Sequence, residues 1–227
     1  TYYEPFVGGG AVFFHLVDRH PGMKSWLSDG NAELVNCYLT VRDQPAELLE
    51  LLETMRNDEK FFYKQRAKDV AKLDELERAA RFIYLNKTCF NGLYRENMSG
   101  QFNVPFGRYK NPRIADSVNV MAASEALSNS HIHAGPFELM AARAKSGDFV
   151  YFDPPYMPVS KTANFVSYTS SNFSYDDQVR LAKLARKLKN KGVLVMVSNS
   201  DVPEIRELYH DFNLKVVKAP RAINCRG

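Results

Sequence analysis

An α/β fold on a mainly parallel sheet is what this sequence predicts, and three observations carry the prediction. Short apolar runs alternate along the chain with longer segments of helical period. The run 192–198 (GVLVMVS) is almost continuously apolar, as expected of a strand buried on both faces. The run 148–152 ends in Asp153-Pro154-Pro155-Tyr156, a loop placed where open α/β sheets bind ligands, beyond the carboxyl end of a strand.

The elements follow in order. Residues 1–6 read as a short strand and 7–10, Val-Gly-Gly-Gly, as a tight turn. Residues 11–18 form an apolar helix. A second strand over 24–27 ends in Ser28-Asp29-Gly30-Asn31, and a helix starts near residue 32. From 45 to about 87 the spacing of Leu48, Leu49, Leu52 and Met55 is helical. Residues 88–113 lose that period and turn rich in Asn, Gly, Phe, Tyr and Arg, with a hairpin turn expected at 97–100 between arms 94–96 and 101–104. A helix over 117–129 leads to a strand near 131–133. After the strand 148–152 comes a polar loop over 157–173. Ser174 and Asp177 then read as a capping box opening a basic helix over 175–190.

The 227 residues suffice for one large α/β domain, or a domain carrying an insertion. No apolar stretch approaches the ~20 residues that span a bilayer, and no signal segment opens the chain. Cys37, Cys89 and Cys225 are widely spaced with no CxxC, which argues against a disulfide framework or a structural zinc site and fits a reducing cytoplasm. Charge is unevenly spread. Residues 81–113 carry six cations against the single acid Glu96, and the stretch from 214 adds Lys215, Lys218, Arg221 and Arg226 with no acid. Such blocks are ordinarily solvated faces; interleaved with aromatics and amides they become footprints for a polyanion.

Four constellations carry chemistry. Glycines 8–10 at a strand-to-helix turn allow a ligand close to the backbone, but they lack the GxGxxG spacing and no lysine follows. A nucleoside-bearing ligand without pyrophosphate fits them, and so does a purely structural turn. Asp29 lies 19 residues beyond Gly10, where nucleotide-binding folds place an acid on ribose hydroxyls; the competing role is a helix N-cap. In 81–112, Asn91, Leu93, Arg95 and Asn97, flanked by Lys87, Arg108 and Lys110, have the side chains of a groove reader, and Phe90 those of a wedge. A surface hairpin with core aromatics fits the same composition. Finally, Asp153-Pro154-Pro155-Tyr156 offers a carboxylate, carbonyls without competing donors and a flat ring, which suits a planar amine; a Pro-rich turn is the bland alternative.

Taken together, three blocks resemble the Dam-like adenine-specific DNA methyltransferases: Glu-Pro-Phe-Val-Gly-Gly-Gly at 4–10, the segment 84–110 with Phe-Asn-Gly-Leu-Tyr-Arg at 90–95 and Phe-Asn-Val-Pro-Phe-Gly-Arg-Tyr-Lys at 102–110, and Asp-Pro-Pro-Tyr at 153–156. The resemblance implies a Rossmann-like class I methyltransferase. Residues 1–44 and 114–227 would be the catalytic domain and 45–113 a DNA-recognition insert of helices and a β-hairpin. It implies S-adenosylmethionine as cofactor, held by Glu4, Pro5, Phe6, Gly8, Gly10 and Asp153, with its ribose on Asp29 and Phe137 against its adenine ring. It implies catalysis by Asp153, Pro154, Pro155 and Tyr156 on an adenine flipped out of duplex DNA, within GATC. Arg95 would read a guanine, Asn91, Leu93 and Pro105 would touch other bases, and Phe90 would fill the stack. Lys87, Asn97, Arg108 and Lys110 would also bind the DNA. No metal, no membrane, a monomer and a cytoplasmic, nucleoid-associated location in a bacterium or phage are expected. Members also carry a lysine-bearing segment before the position of Thr1 and continue beyond 227, so a longer protein is expected.

Two rivals remain at this stage. A methyltransferase acting on RNA adenine or a protein amide uses a similar loop, and a sequence-specific DNA-binding protein that has lost catalysis would keep the basic insert.

Overall fold

The computed structural model describes residues 1–97, 99–158 and 173–218. Five parallel strands form one sheet in the order β3-β2-β1-β4-β5. They are β1 (Tyr2–Glu4), β2 (Ser25–Asp29), β3 (Ser130–Ala134), β4 (Phe149–Phe152) and β5 (Leu194–Val197). The chain runs outward from β1 through β2 to β3, then returns to the far side of β1 for β4 and β5. The direction of winding therefore reverses between β1 and β4. Loops leaving the carboxyl ends of those two strands diverge and leave a crevice there.

Helices α1 (Ala11–Arg19), α2 (Ala32–Asp43) and α6 (Ser117–Leu127) lie with α3 (Pro45–Glu53), α4 (Glu59–Arg66) and α5 (Glu75–Thr88) on the side of one buried cluster. Tyr2, Leu27 and Tyr151 bring the sheet into that cluster, and Phe13, Tyr38, Leu48, Phe62 and Tyr84 bring the helices. Tyr3, Val150 and Phe152 point the other way, onto α7 (Phe137–Ala141) and α8 (Tyr175–Asn190), in the period-two alternation of strands. The cluster runs without a break from Phe13 and Leu27 to Leu48, Phe62, Phe102 and Val104, so residues 45–113 share the core of the sheet domain. Helix α9 (Pro203–Leu208) packs on α8 beside β5.

Three details qualify the sequence reading. The capping box is present: Ser174 Oγ accepts from the Asp177 amide, and Asp177 accepts in return from the Ser174 amide. The strand near 194 is not buried on both faces, since Leu194 is 64% and Met196 48% exposed. Among the described residues β5 pairs only with β4, and α8 and α9 cover just the face carrying Val195 and Val197.

The hairpin of the insert is reduced to isolated antiparallel bridges, Cys89 with Phe106 and Glu96 with Phe102. A 3-10 turn at Phe90–Gly92 puts Asn91 at φ 55 and breaks the register between the two bridges. Pro105 has no N–H with which to extend either one. The turn itself survives, with the Asn97 amide on the Gln101 carbonyl at 2.9 Å and the Asn103 amide on the Arg95 carbonyl at 3.0 Å.

Candidate active site

The loop after β1 is held by its own backbone. The Val7 amide donates to the Ser28 carbonyl at 2.9 Å, and the Gly10 amide to the Val7 carbonyl at 2.7 Å. Gly8 and Gly10 sit at φ 47 and φ 69, left-handed values that favour glycine. At Gly10 a side chain is also excluded by space, because a Cβ would lie 2.8 Å from the Tyr38 hydroxyl and 2.9 Å from the Phe14 ring. At Gly8 nothing lies within 4 Å, so that surface is left open. The turn delivers the amino end of α1 to the site with no side-chain cap on its first amides.

Asp29 ends β2 and ties two loops together. Its Oδ2 accepts from the Gly8 amide at 3.0 Å and its Oδ1 from the Asn31 amide at 2.9 Å. The N-cap role belongs instead to Asn31, whose side chain accepts from the Glu33 and Leu34 amides.

Glu4 is buried at the end of β1 and accepts from the Tyr2 hydroxyl at 2.7 Å. Burial pushes its carboxyl up to about 7; the Tyr2 hydrogen bond opposes the rise and the nearby Asp153 charge adds to it.

Asp153, directly after β4, is exposed and accepts a hydrogen bond from Ser198 Oγ. Pro154 is buried, Pro155 exposed, and Tyr156 is 41% exposed.

These loops enclose a cavity of about 470 Å³ lined by Glu4, Phe6, the glycine turn, Asp29 and the whole of 153–156. That volume falls within the ~300–1,000 Å³ of small-molecule sites. It gathers three carboxylates, exposed glycine backbone and two aromatic rings, Phe6 and Tyr156. Pro5 supplies a carbonyl to Ser28 at 3.4 Å beside it. Phe137 does not line the cavity: it is 5% exposed and stacks on Phe6 with centroids 5.3 Å apart. A larger cleft of about 940 Å³ between α1, α2, α5 and α6 has mostly apolar walls and none of these carboxylates.

The insert residues lie outside the cavity. Lys87, Asn91, Arg95, Pro105, Arg108 and Lys110 are exposed, Phe90 and Leu93 are 38% and 46% exposed, and Asn97 is half-buried. The Arg95 Nε donates to Asn103 Oδ1 at 2.7 Å.

Sequence reasoning missed Ser198, Gln178 and Tyr38. The only trace of the first is a polar Ser-Asn-Ser triplet directly after an apolar run. The expected cover over 157–173 falls, from 159 to 172, outside the described residues, as do Arg221, Cys225 and Arg226. Among the described residues no helix is long and apolar enough to cross a membrane, and no group of His, Cys, Asp or Glu could hold a metal ion.

A parallel sheet with this winding, a glycine turn after its first strand and Asp-Pro-Pro-Tyr at the switch point define a Rossmann-like methyltransferase. The family model of the D12 class N6 adenine-specific DNA methyltransferases matches residues 1–223, and the chain belongs to that family. It is 46% identical to the Type II methyltransferase M.MjaIII of Methanocaldococcus jannaschii, over all of this chain and 83% of that one. It is 38% identical to a DNA adenine methylase of Vibrio cholerae, over 99% of this chain and 81% of the relative. With a DNA adenine methylase of Escherichia coli the identity is 36%, over 99% and 80%. The protein is an adenine-specific DNA methyltransferase.

Proposed function

We propose that the enzyme methylates the exocyclic amine of adenine within GATC in duplex DNA, taking the methyl group from S-adenosylmethionine. The observation that carries the proposal is the single cavity in which Asp153 and Tyr156 meet the glycine turn and Asp29. The residues suit that cofactor. Asp29 and Asp153 bring carboxylates to the cavity for a ligand bearing an ammonium and a sulfonium, the buried carboxyl of Glu4 lines it beside them, and Gly8 leaves room for close approach. When bound, it supplies an electrophilic methyl group. Phe6, Gly8 and Gly10 would hold its methionine part, with Pro5 shaping the turn, and Asp29 its ribose. Phe137, stacked behind Phe6, backs the apolar wall.

The adenine amine is a weak nucleophile because its lone pair is delocalised into the ring. Asp153 and the Pro154 carbonyl each accept one amine hydrogen, which favours a tetrahedral nitrogen and stabilises the positive charge that develops on it. The Pro155 carbonyl is already engaged by the Gln178 amide at 2.9 Å, which leaves Pro154 as the loop's acceptor. Asp153 need not act as a base before attack, and it helps disperse the proton afterwards. Tyr156 stacks on the base, which must leave the duplex at a cost of a few kcal/mol. No metal enters these steps.

Recognition falls to the insert. Arg95 reads one guanine, Asn91, Leu93 and Pro105 meet neighbouring bases, Phe90 fills the vacated stack, and Lys87, Asn97, Arg108 and Lys110 hold the backbone. The names of the Vibrio and Escherichia relatives as DNA adenine methylases support adenine as target, and the type II name of the archaeal relative supports a partner in restriction-modification. The enzyme acts as a monomer in the cytoplasm, on nucleoid DNA.

Labelled S-adenosylmethionine offered with duplexes that differ only in GATC or a scrambled site tests the reading. Label in the GATC duplex alone is the expected result. Label in both would discard the recognition site and keep the chemistry. Label in neither, with cofactor bound, would overturn the substrate.

A further inference from the structure

We propose that Ser198 is a positioning residue that orients the Asp153 carboxylate for the incoming amine; the proposal rests on the role given to Asp153 above. Ser198 follows β5 and is fixed by its backbone, its amide donating to the Phe152 carbonyl at 2.9 Å as the sheet's last rung at this end. Its hydroxyl donates to Asp153 Oδ1. A serine has a single hydroxyl proton, and of its two acceptors the nearer, charged carboxylate takes it in preference to the Phe152 carbonyl at 3.5 Å. The Tyr151 hydroxyl, 3.1 Å from Ser198 Oγ, must therefore be the donor in that contact. Tyr151 is buried, and burial raises its hydroxyl above the usual tyrosine range, so it keeps the proton it donates. The chain of donors runs one way, from Tyr151 to Ser198 to Asp153, and ends on one carboxylate oxygen. Oδ2 is left for the amine.

The rest of the loop is tied in the same alternating manner. Gln178, fully buried on α8, donates to the Pro155 carbonyl at 2.9 Å and accepts from Asn199 Nδ2 at 2.9 Å. Asn199 Oδ1 accepts from the Met157 amide at 3.1 Å and from the Ser200 amide at 2.8 Å. Ser200 Oγ donates to the Met157 carbonyl at 2.6 Å. Residues 153, 155 and 157 are thus held from behind by α8 and the turn after β5. Residues 154 and 156, the carbonyl and the ring that the chemistry uses, lie between the ties. Position 153 is held through a side chain that must itself reach the substrate, so Ser198 is where orientation and chemistry meet.

The test uses the whole protein and compares Ser198→Ala, Ser198→Thr and Asp153→Ala with the unaltered enzyme. Single-turnover methyl transfer to a GATC duplex is read beside binding of duplex, binding of S-adenosylmethionine and thermal unfolding. Loss of a hydrogen bond to a charged group predicts a Ser198→Ala rate lower by about 10- to 100-fold. Both affinities and the melting temperature stay put, and Ser198→Thr, which keeps the hydroxyl, restores most of the rate. An unchanged Ser198→Ala rate while Asp153→Ala is inactive overturns the positioning role and leaves the reading of the site intact. Equal losses in the Ala and Thr variants, or a loss shared with cofactor affinity or melting temperature, make Ser198 merely structural and also overturn it. An active Asp153→Ala enzyme refutes the underlying reading itself.

Discussion

Gly8 and Asp29 are joined by a hydrogen bond from the glycine amide to Oδ2 at 3.0 Å, which locks the loop after β1 to the loop after β2. With Oδ1 on the Asn31 amide, the carboxylate holds the floor of the cavity while keeping lone pairs for a ligand. Asp29→Ala removes both contacts and is expected to weaken S-adenosylmethionine binding by at least about tenfold, the worth of one or two hydrogen bonds to a charged group. Isothermal titration checks it. Reduced stability with unaltered affinity would leave Asp29 the loop-tying role alone.

The two left-handed glycines fail for different reasons when given a side chain. Gly10→Ala combines left-handed strain with a clash against Tyr38 and Phe14 and should lower stability by about 2–4 kcal/mol. Gly8→Ala meets no neighbour, so about 1–2 kcal/mol of strain is expected, and its methyl group should obstruct the cofactor. Denaturant unfolding paired with cofactor titration separates them: Gly10→Ala mainly unfolds, Gly8→Ala mainly fails to bind.

Glu4 makes stability depend on pH. Its carboxyl lies at about 7 in the fold against an ordinary 4.5, so the folded state holds a proton that the unfolded chain releases first. The contribution is fully present below 4.5 and is lost as pH rises through about 7, a total loss of about 3 kcal/mol. Glu4→Gln should therefore gain stability over the unaltered protein as pH rises from 4.5 and level off above 7. Unfolding curves that stay parallel at every pH would remove Glu4 as the cause.

The sheet, the glycine turn, Asp29 and the Asp-Pro-Pro-Tyr loop were legible because each is local: a few adjacent residues set a strand end, a positive φ or a run of carbonyls. Ser198, Gln178 and Tyr38 were not, since they reach the site only after folding places β5 beside β4 and α2 beneath the glycine turn. Apolar run length overstates the burial of β5 for a related reason, because a run of Val, Leu and Met does not reveal that, among the described residues, helices cover only one face. The hairpin is shorter than its composition suggests because Asn91, read as a base-contacting residue of one arm, and Gly92 take positive φ and shift that arm out of register.

Arg95 carries the last prediction. Its Nε is engaged by Asn103 Oδ1 at 2.7 Å, and the Asn103 amide returns a bond to the Arg95 carbonyl at 3.0 Å. With Nε on Asn103, a bidentate contact to guanine O6 and N7 would be made by the two terminal nitrogens of the guanidinium. Arg95→Ala should cost about 1–3 kcal/mol and relax discrimination at one guanine only. Arg95→Lys should rescue little, because an ammonium is a point charge that cannot span both acceptors. Asn103→Ala should produce a weaker version of the same relaxed preference, since it removes the contact on Nε and leaves the guanidinium in place. Methylation rates on GATC duplexes altered one base pair at a time measure all three, and an equal loss on every duplex would reduce Arg95 to a backbone contact.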